Sequence, residues 1–376
     1  MDNHKPSKDL FVPVDTTNDE SDKITRPSLS FWQDSFIRLR KNVGAMIGLF
    51  VLIILTVMAI FGPYMNEYGE YDQDLSRSKM PPKVEGLGWL GMDGMLTDVQ
   101  SADTLERAQE KALMRFNNQD EFIETEVLND GSNGEKAEVQ ATYDVYAAKG
   151  MEENFWFGTD GLGRDQWTRT WIGTRVSLYI AFLAAAIDML IGVTYGGISA
   201  YYGGRVDNYM QRFIEILVGI PNLVLVILMI LILEPGILSI TIALAIAGWI
   251  SMARIVRGQI LKLKNQEFVL ASRTLGAKDN RILQKHLIPN VLGLIIINTM
   301  FSIPSAIFFE AFLSFIGLGL PTPMASLGTL INAGFQSLQI YPHILLFPAI
   351  IISLIMIAFN VLADGLRDAF DPKMRE

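Results

Sequence analysis

Six stretches of this chain run for about the length of a bilayer with almost no charged residue. They cover residues 43–64, 176–201, 213–233, 236–253, 291–316 and 344–363. A hydrocarbon core roughly 30 Å thick is crossed by about 20 mostly apolar residues in a helix. In lipid the backbone must satisfy its own hydrogen bonds, so runs of this kind fold as helices. The expected fold is therefore all-α and integral to a membrane, with six spans. The first run follows 42 residues and is too long for the apolar core of a cleavable leader, and no Ala-x-Ala site follows it.

Composition agrees. Half of the 376 residues are hydrophobic and only 19% are charged, where a soluble globule carries about 25%. A disordered chain, a coiled coil and a nucleic-acid-binding domain are excluded on these grounds. Cysteine is absent and the three histidines, His4, His286 and His343, are far apart. That excludes disulfides, thiolate zinc sites and a cysteine nucleophile, and it leaves no metal site and no catalytic residue to nominate. No Gly-Lys-Ser/Thr occurs, so the chain has no P-loop for ATP. The Gly-Leu-Gly at 161–163 and at 317–319 lack the strand context of a dinucleotide site.

Charge is unevenly placed. Residues 65–154 hold 20 acidic and 8 basic side chains, a balance of −12 against −9 for the whole chain, so the remainder carries +3. This acidic insert reads as a small folded subdomain. Leu105, Ala108, Ala112 and Phe116 fall at helical spacing, and residues 129–134 form a turn or hairpin tip. Residues 1–28 read as a polar, disordered tail. Phe31, Trp32, Phe36 and Leu39 beside Arg38, Arg40 and Lys41 fit either a short helix on the membrane surface or the polar start of the first span. The segment between the fourth and fifth spans, 254–286, has eight basic and two acidic residues. Lysine and arginine favour the cytoplasmic side, which places both termini and this segment inside. Arg164, Arg169 and Arg175 speak against that orientation, unless 157–171 is a helix lying in the interface.

Within the coupling segment 254–290, residues 267–289 are too polar for lipid and too regular for a linker. Phe268, Ala271 and Leu275 share a helical face, Gly276 closes the helix, and Asp279 or Asn280 opens a second one that Pro289 ends. Such a helix–turn–helix with apolar knobs fits a groove of another protein, or it packs on its own bundle. The segment resembles the cytoplasmic loop of ABC-importer permeases, on Ala271, Gly276 and Pro289, with Leu270 and Ser272 departing from the common pattern. It is similar in particular to the dipeptide/oligopeptide/nickel branch. The match there rests on Phe268-Val269, Ala271, Arg273 and Leu275-Gly276-Ala277, with His286-Leu287-Ile288-Pro289-Asn290. Gly158-Thr159-Asp160, Gly163-Arg164-Asp165, Tyr201-Tyr202-Gly203-Gly204, Val206-Asp207, the run 310–319 and 364–368 extend the likeness over residues 30–66 and 156–376. Leu327 stands where a tryptophan is expected.

The resemblance implies the permease fold of a type I importer, and within it the second, C-type permease of an oligopeptide importer. It implies no catalysis in this chain, ATP and Mg held by two partner ATPases, a homologous second permease and an extracellular peptide-binding protein, all in a bacterial plasma membrane. It implies that Glu267, Phe268, Leu270, Ala271, Ser272, Leu275, Gly276 and Ala277 couple to the ATPase. Nickel complexes and glutathione are alternative cargoes. A stand-alone secondary transporter or channel is the competing class, and a membrane hydrolase a third. Asp188 and Glu310 lie inside apolar spans, where a carboxylate costs about 2.5–3.5 kcal/mol on insertion scales. Both are candidates for the substrate path, with structural pairing as the other reading. Pro304 is expected to kink the fifth span, and Gly192, Gly196 and Gly197 to allow close helix packing.

Overall fold

The computed structural model describes residues 30–116, 120–133 and 135–370. The tail read as disordered over 1–28 lies outside them, as does Gly134 of the turn.

The described residues open with α1 (Phe31–Lys41), capped by Ser30, whose hydroxyl accepts from the Gln33 N–H. Asn42 ends α1 and caps α2 (Val43–Phe61), accepting from the Ala45 N–H at 3.1 Å. The aromatic segment is thus a helix of its own rather than the polar start of the span. Phe31 stacks on Phe370 near the C-terminus with ring centroids 5.8 Å apart.

The insert holds more than the single helix the sequence revealed. Strands β1 (Met95–Ala102), β2 (Ile123–Asn129) and β3 (Ala137–Asp144) form an antiparallel sheet in the order β1-β3-β2, and α3 (Leu105–Arg115) lies between β1 and β2 in sequence. Ala108 and Ala112 of α3 are buried with Ala137, Val139 and Ala141 of β3. Those three β3 residues alternate along the strand, as a sheet with one covered face requires. A short helix α4 (Val145–Lys149) ends at Gly150 in the left-handed conformation.

Residues 157–165 are a turn and not an interfacial helix. Gly158 and Gly163 adopt positive φ, and a Cβ on Gly163 would lie 1.8 Å from the Asp74 carbonyl oxygen. Asp160 accepts from the backbone of Leu162 and Arg164 and pairs with the Arg164 side chain at 2.7 Å. Asp165 then caps α5 (Gln166–Tyr202), its carboxylate accepting from the Thr168 N–H at 2.7 Å.

The third apolar run is broken. Helix α6 (Gly204–Val218) and helix α7 (Asn222–Leu233) meet at 82° around Pro221, where a single span over 213–233 was expected. Proline lacks the N–H that would carry the helix through this point. Helix α8 (Ile237–Leu263) extends ten residues beyond the expected end at 253. Then come α9 (Glu267–Thr274), α10 (Asp279–Ile282), α11 (Ile288–Phe315), α12 (Leu327–Ser337) and α13 (His343–Phe370). Five helical stretches are long and apolar enough to cross a membrane, and six if the bent α6–α7 pair counts as one. Helix α12 has no counterpart in the sequence reading. Ser326 and Thr329 form a reciprocal capping box at its start, with threonine in the place usually taken by glutamate or glutamine.

The bundle has two ends. The insert and the 157–165 turn meet α12 and the start of α13 at one. There Glu70 Oε1 accepts from the Ala325 N–H, and the Gln166 amide donates to the Ile344 carbonyl. At the other end α1, α9, α10 and the C-terminus of α13 gather. The most extensive helix–helix contact among the described residues is α5 against α8. A Cβ on Gly196 would lie 2.3 Å from the Ala253 carbonyl oxygen, and one on Gly192 2.6 Å from Met252 Cβ. At Gly197 the nearest atom is a Leu283 methyl 3.6 Å away, an ordinary contact. Gly196→Leu is therefore expected to force α5 and α8 apart, lowering the thermal midpoint of the purified protein by several degrees, while Gly197→Ala leaves it nearly unchanged. Thermal-shift measurement of the two variants side by side checks this, and equal midpoints would refute the close-packing role.

Candidate functional site

The elbow between α8 and α11 is built around one glycine. Helix α9 ends in a six-residue Schellman closure: the Gly276 N–H donates to the Arg273 carbonyl at 3.0 Å, and the Ala277 N–H to Ser272 at 3.1 Å. Gly276 has φ +81° with nothing near where a Cβ would stand, so conformation and not space demands glycine there. The chain then turns into α10.

Pro289 does not end the second helix, as the sequence reading expected. Residues 279–315 run on as one helical stretch. The turn Leu283–Leu287 widens to a π-helix, with the Ile288 N–H reaching Leu283. A π-turn one residue ahead of a proline relieves the missing donor and the ring clash. Helix α11 likewise continues through Pro304.

The elbow's apolar residues divide into two sets. Val269, Ile282 and Leu287 are fully buried against Val256 and Ile260 of α8 and Val291 of α11. Phe268, Leu270 and Leu275 are exposed, Leu275 at 88%. Ala271 is exposed with them, as are Glu267 and Gly276, while Ser272 and Ala277 are half-buried. The elbow thus packs on its own bundle through one face and offers the other. It is pinned as well. Tyr201 at the end of α5 donates to Asp279 at 2.6 Å, Arg273 stands over the Tyr201 ring, and Lys264 donates to the Ala200 carbonyl at 2.7 Å.

Beside the elbow lies an ionic clamp of which the motif Val206-Asp207 supplies one residue. Arg257 of α8 grips Asp207 of α6 through two hydrogen bonds of 2.6 Å, and Ser199 of α5 donates to the same carboxylate. Three helices meet at one ion pair. A bidentate arginine–carboxylate pair is the strong form of such a contact. Neither its partner nor its geometry could be read from residues 50 apart in sequence.

The two intramembrane carboxylates part company. Glu310, a candidate for the substrate path, is fully buried. Ser177 of α5 donates to its Oε2 and Ser314 to its Oε1, both at 2.9 Å, and Ser177 also accepts from the Leu327 N–H. Glu310 therefore ties α5 to α11 and, through Ser177, to the start of α12. Its side-chain oxygens need donors because lipid supplies none; Ser314 stands one turn on along α11, while Ser177 comes from α5, which only the fold brings near. Asp188 packs on the bare backbone of α8, where a Cβ on Gly248 would fall 2.1 Å from its Oδ2. Its Oδ1 is buried and has no hydrogen-bond partner among the described residues. Among those residues no group of three acidic or histidine side chains could hold a metal ion.

Bilayer-length helices with a basic elbow offered at one end define a multi-span membrane protein. Residues 192–376 match the model of the binding-protein-dependent transport system inner membrane component, and residues 30–82 that of the N-terminal TM domain of oligopeptide transport permease C. Among relatives, the oligopeptide transport system permease protein OppC of Bacillus subtilis is 40% identical over 369 residues, with 98% of each chain covered. The dipeptide transport system permease protein DppC of the same organism is 43% identical, covering 97% of this chain and 93% of that one. DppC of Lactococcus lactis is 39% identical over 98% of both. The chain belongs to this family of ABC-importer permeases, the binding-protein-dependent inner-membrane components of the OppC and DppC type.

The Glu310 network makes a direct prediction. Glu310→Ala strands the Ser177 and Ser314 hydroxyls, each unmet buried group costing about 1–3 kcal/mol, while the Leu327 N–H keeps Ser177 Oγ as its acceptor. Solubilised Glu310→Ala should lose folded yield and unfold at lower temperature, whereas Glu310→Gln keeps most of both. Fluorescence-detected size exclusion measures each, and an unperturbed alanine variant would remove Glu310 from the framework.

Proposed function

We propose that the chain is one of two homologous permease subunits of an oligopeptide importer that two separate ATPase subunits drive, fed by an extracellular peptide-binding protein. The observation that carries the reading is the elbow at 267–289. It is fixed to α5 and α8 by Tyr201, Lys264 and the Val269–Ile282 core, and it presents Phe268, Leu270 and Leu275 to solvent. A rigidly mounted helix with bare apolar knobs suits a groove in a moving partner, whose closure it would pass directly into two long helices. The relatives named above are permeases of oligopeptide and dipeptide systems, which supports peptides ahead of nickel complexes or glutathione as cargo. Chemistry at ATP and Mg would lie wholly in the partner subunits, with this chain non-catalytic.

The basic elbow also favours both termini on the cytoplasmic side. The arginines that opposed this orientation are bound locally. Arg164 and Arg169 pair with Asp160, and Arg175 donates to the Ala59 and Ile60 carbonyls at the end of α2, a favourable place for a cation. Their charge serves the fold, which weakens their weight as orientation signals.

Asp188 would take the peptide's amino terminus. Its buried, unpartnered oxygen supports that role, because an ammonium group supplies both the donor and the countercharge that the site lacks.

Two experiments test the reading. Gly276→Pro removes the donated N–H and cannot reach φ +81°. It should abolish peptide uptake in cells while the protein stays in the membrane, with Gly276→Ala in between because the left-handed conformation costs about 1–2 kcal/mol. Full uptake by the proline variant, or purification of the intact complex without any nucleotide-hydrolysing subunit, would end the proposal. Asp188→Asn should raise KM about tenfold, a loss near 1.4 kcal/mol, for peptides with a free amino terminus and leave N-acetylated peptides unaffected. Equal effects on both would take Asp188 off the path.

A further inference from the structure

The two most exposed large apolar side chains among the described residues stand at opposite ends of the protein. Leu275 belongs to the elbow. Trp89, exposed at 79%, belongs to the acidic insert, with Leu90 beside it at 55%. The other five tryptophans are all less exposed, and a tryptophan has about 150–250 Å² to withdraw from water. The loop that presents the pair is fixed in shape. Lys83 and Asp93 close it by an antiparallel bridge, and the Val84 N–H donates to the Met92 carbonyl at 3.0 Å. Within it the Gly91 N–H donates to the Gly88 carbonyl at 2.9 Å, in a tight turn that Gly91 ends at φ +73°. The foot is held as well. The Lys83 N–H donates to the Phe155 carbonyl at 2.9 Å, the Lys83 ammonium stands over the Tyr146 ring, and the Tyr146 hydroxyl donates to the Pro81 carbonyl at 2.9 Å. An anchor mounted this way loses little freedom on binding.

Charge decides what can cover the pair. Glu85 and Asp93 flank it, and the insert as a whole carries −12. The sheet adds a face of one sign. Ala137, Val139 and Ala141 turn toward α3, so the alternate residues of β3 turn away, and cross-strand pairing sets Glu138 on that outer face with Glu124 and Glu126 of β2. None of the three strands contains a lysine or an arginine. Apolar segments that enter a bilayer surface are helped by basic neighbours, which anionic headgroups attract; this one would be repelled. A protein surface with a basic rim around an apolar pocket is its complement. The insert also lies at the end of the bundle opposite the elbow, where Glu70 accepts from the Ala325 N–H.

We propose that the loop 83–93 is the dock for the importer's extracellular peptide-binding protein. Trp89 and Leu90 enter an apolar pocket of that protein, and the acidic insert attracts the basic residues around the pocket. The proposal rests on the reading of the chain as a peptide importer's permease, and it adds the surface at which cargo is delivered. A central, desolvated tryptophan carries affinity, whereas the glutamates act at a distance, on the rate of encounter.

Both parts are measurable in the whole complex, held in lipid nanodiscs, against its peptide-binding protein loaded with tetra-alanine. Trp89→Ala is expected to weaken binding at least about thirtyfold, the size of a hot spot, with Trp89→Phe keeping most of the affinity. Glu124→Gln, Glu126→Gln and Glu138→Gln together are expected to slow association severalfold in low salt and to leave it unchanged in high salt. The chain has no cysteine, so Leu90→Cys, with partner subunits freed of cysteine, carries a single environment-sensitive fluorophore. Its emission should be that of a solvated probe, shifting to the blue when the loaded binding protein is added to saturation. A blue-shifted probe before that addition would mean that lipid or the second permease covers the loop. That result, equal affinity in Trp89→Ala, or association that ignores both the glutamines and the salt would each overturn the dock while wild-type binding persists. A wild-type complex that binds no loaded protein at all would instead bring down the importer reading, and the dock with it.

Discussion

Close backbone contact between α5 and α8 underlies the rest of the architecture. Between helices in lipid there is little hydrophobic force, since acyl chains are as apolar as leucine, so packing and hydrogen bonds must do what water does elsewhere. Gly192 and Gly196 let α8 approach until the Ala253 carbonyl stands where a side chain would be. Every functional feature hangs from that pair. Asp188 rests on Gly248 across it, Tyr201 and Lys264 carry the elbow at one end of it, and Ser177 receives Glu310 and Leu327 farther along α5.

Polar groups within the bundle fall into spent and unspent sets. Glu310 and Asp207 are consumed by the fold, one by two serines and the other by a bidentate arginine with a serine. Replacing them should be felt as stability. The Oδ1 of Asp188 has no partner among the described residues, and an unmet polar group in a low-dielectric setting is where a ligand gains most. This contrast separates carboxylates held by the fold from one that is not, although both look alike as isolated polar letters in apolar runs.

The acidic insert is a second, smaller fold joined to the same end of the bundle as α12. Its sheet and α3 enclose a core of alanines and one valine, small enough for close approach of helix to sheet. It reaches the bundle through the 157–165 turn and Met80, whose carbonyl leaves no room for a side chain on Gly158. The charge that dominates the protein's net balance therefore sits outside the membrane part and is tied to it by backbone contacts.

Much of this could be read from residue order. The spans, the α9 turn at Gly276, the close packing at Gly192 and Gly196 and the helix in the insert all follow from local rules: bilayer length, a glycine that alone accepts positive φ, and 3.6-residue periodicity. The break at Pro221 has a local signal, a proline inside an apolar run, whereas the alternation in β3 rests on Ala137, Val139 and Ala141, residues too small to mark a strand strongly. What no local rule could supply were the partners of charged groups. Asp207 and Arg257 lie 50 residues apart, and Ser177 and Glu310 lie 133 apart, so whether each carboxylate is paired or free was decided only when the helices came together. The sequence by itself determined that this chain must cross a membrane as helices and carry a basic elbow, because the backbone's need for hydrogen bonds is local. Tertiary structure alone decided that Glu310 holds the frame while Asp188 keeps an oxygen unbound, because in lipid the meaning of a charge depends on what is packed against it.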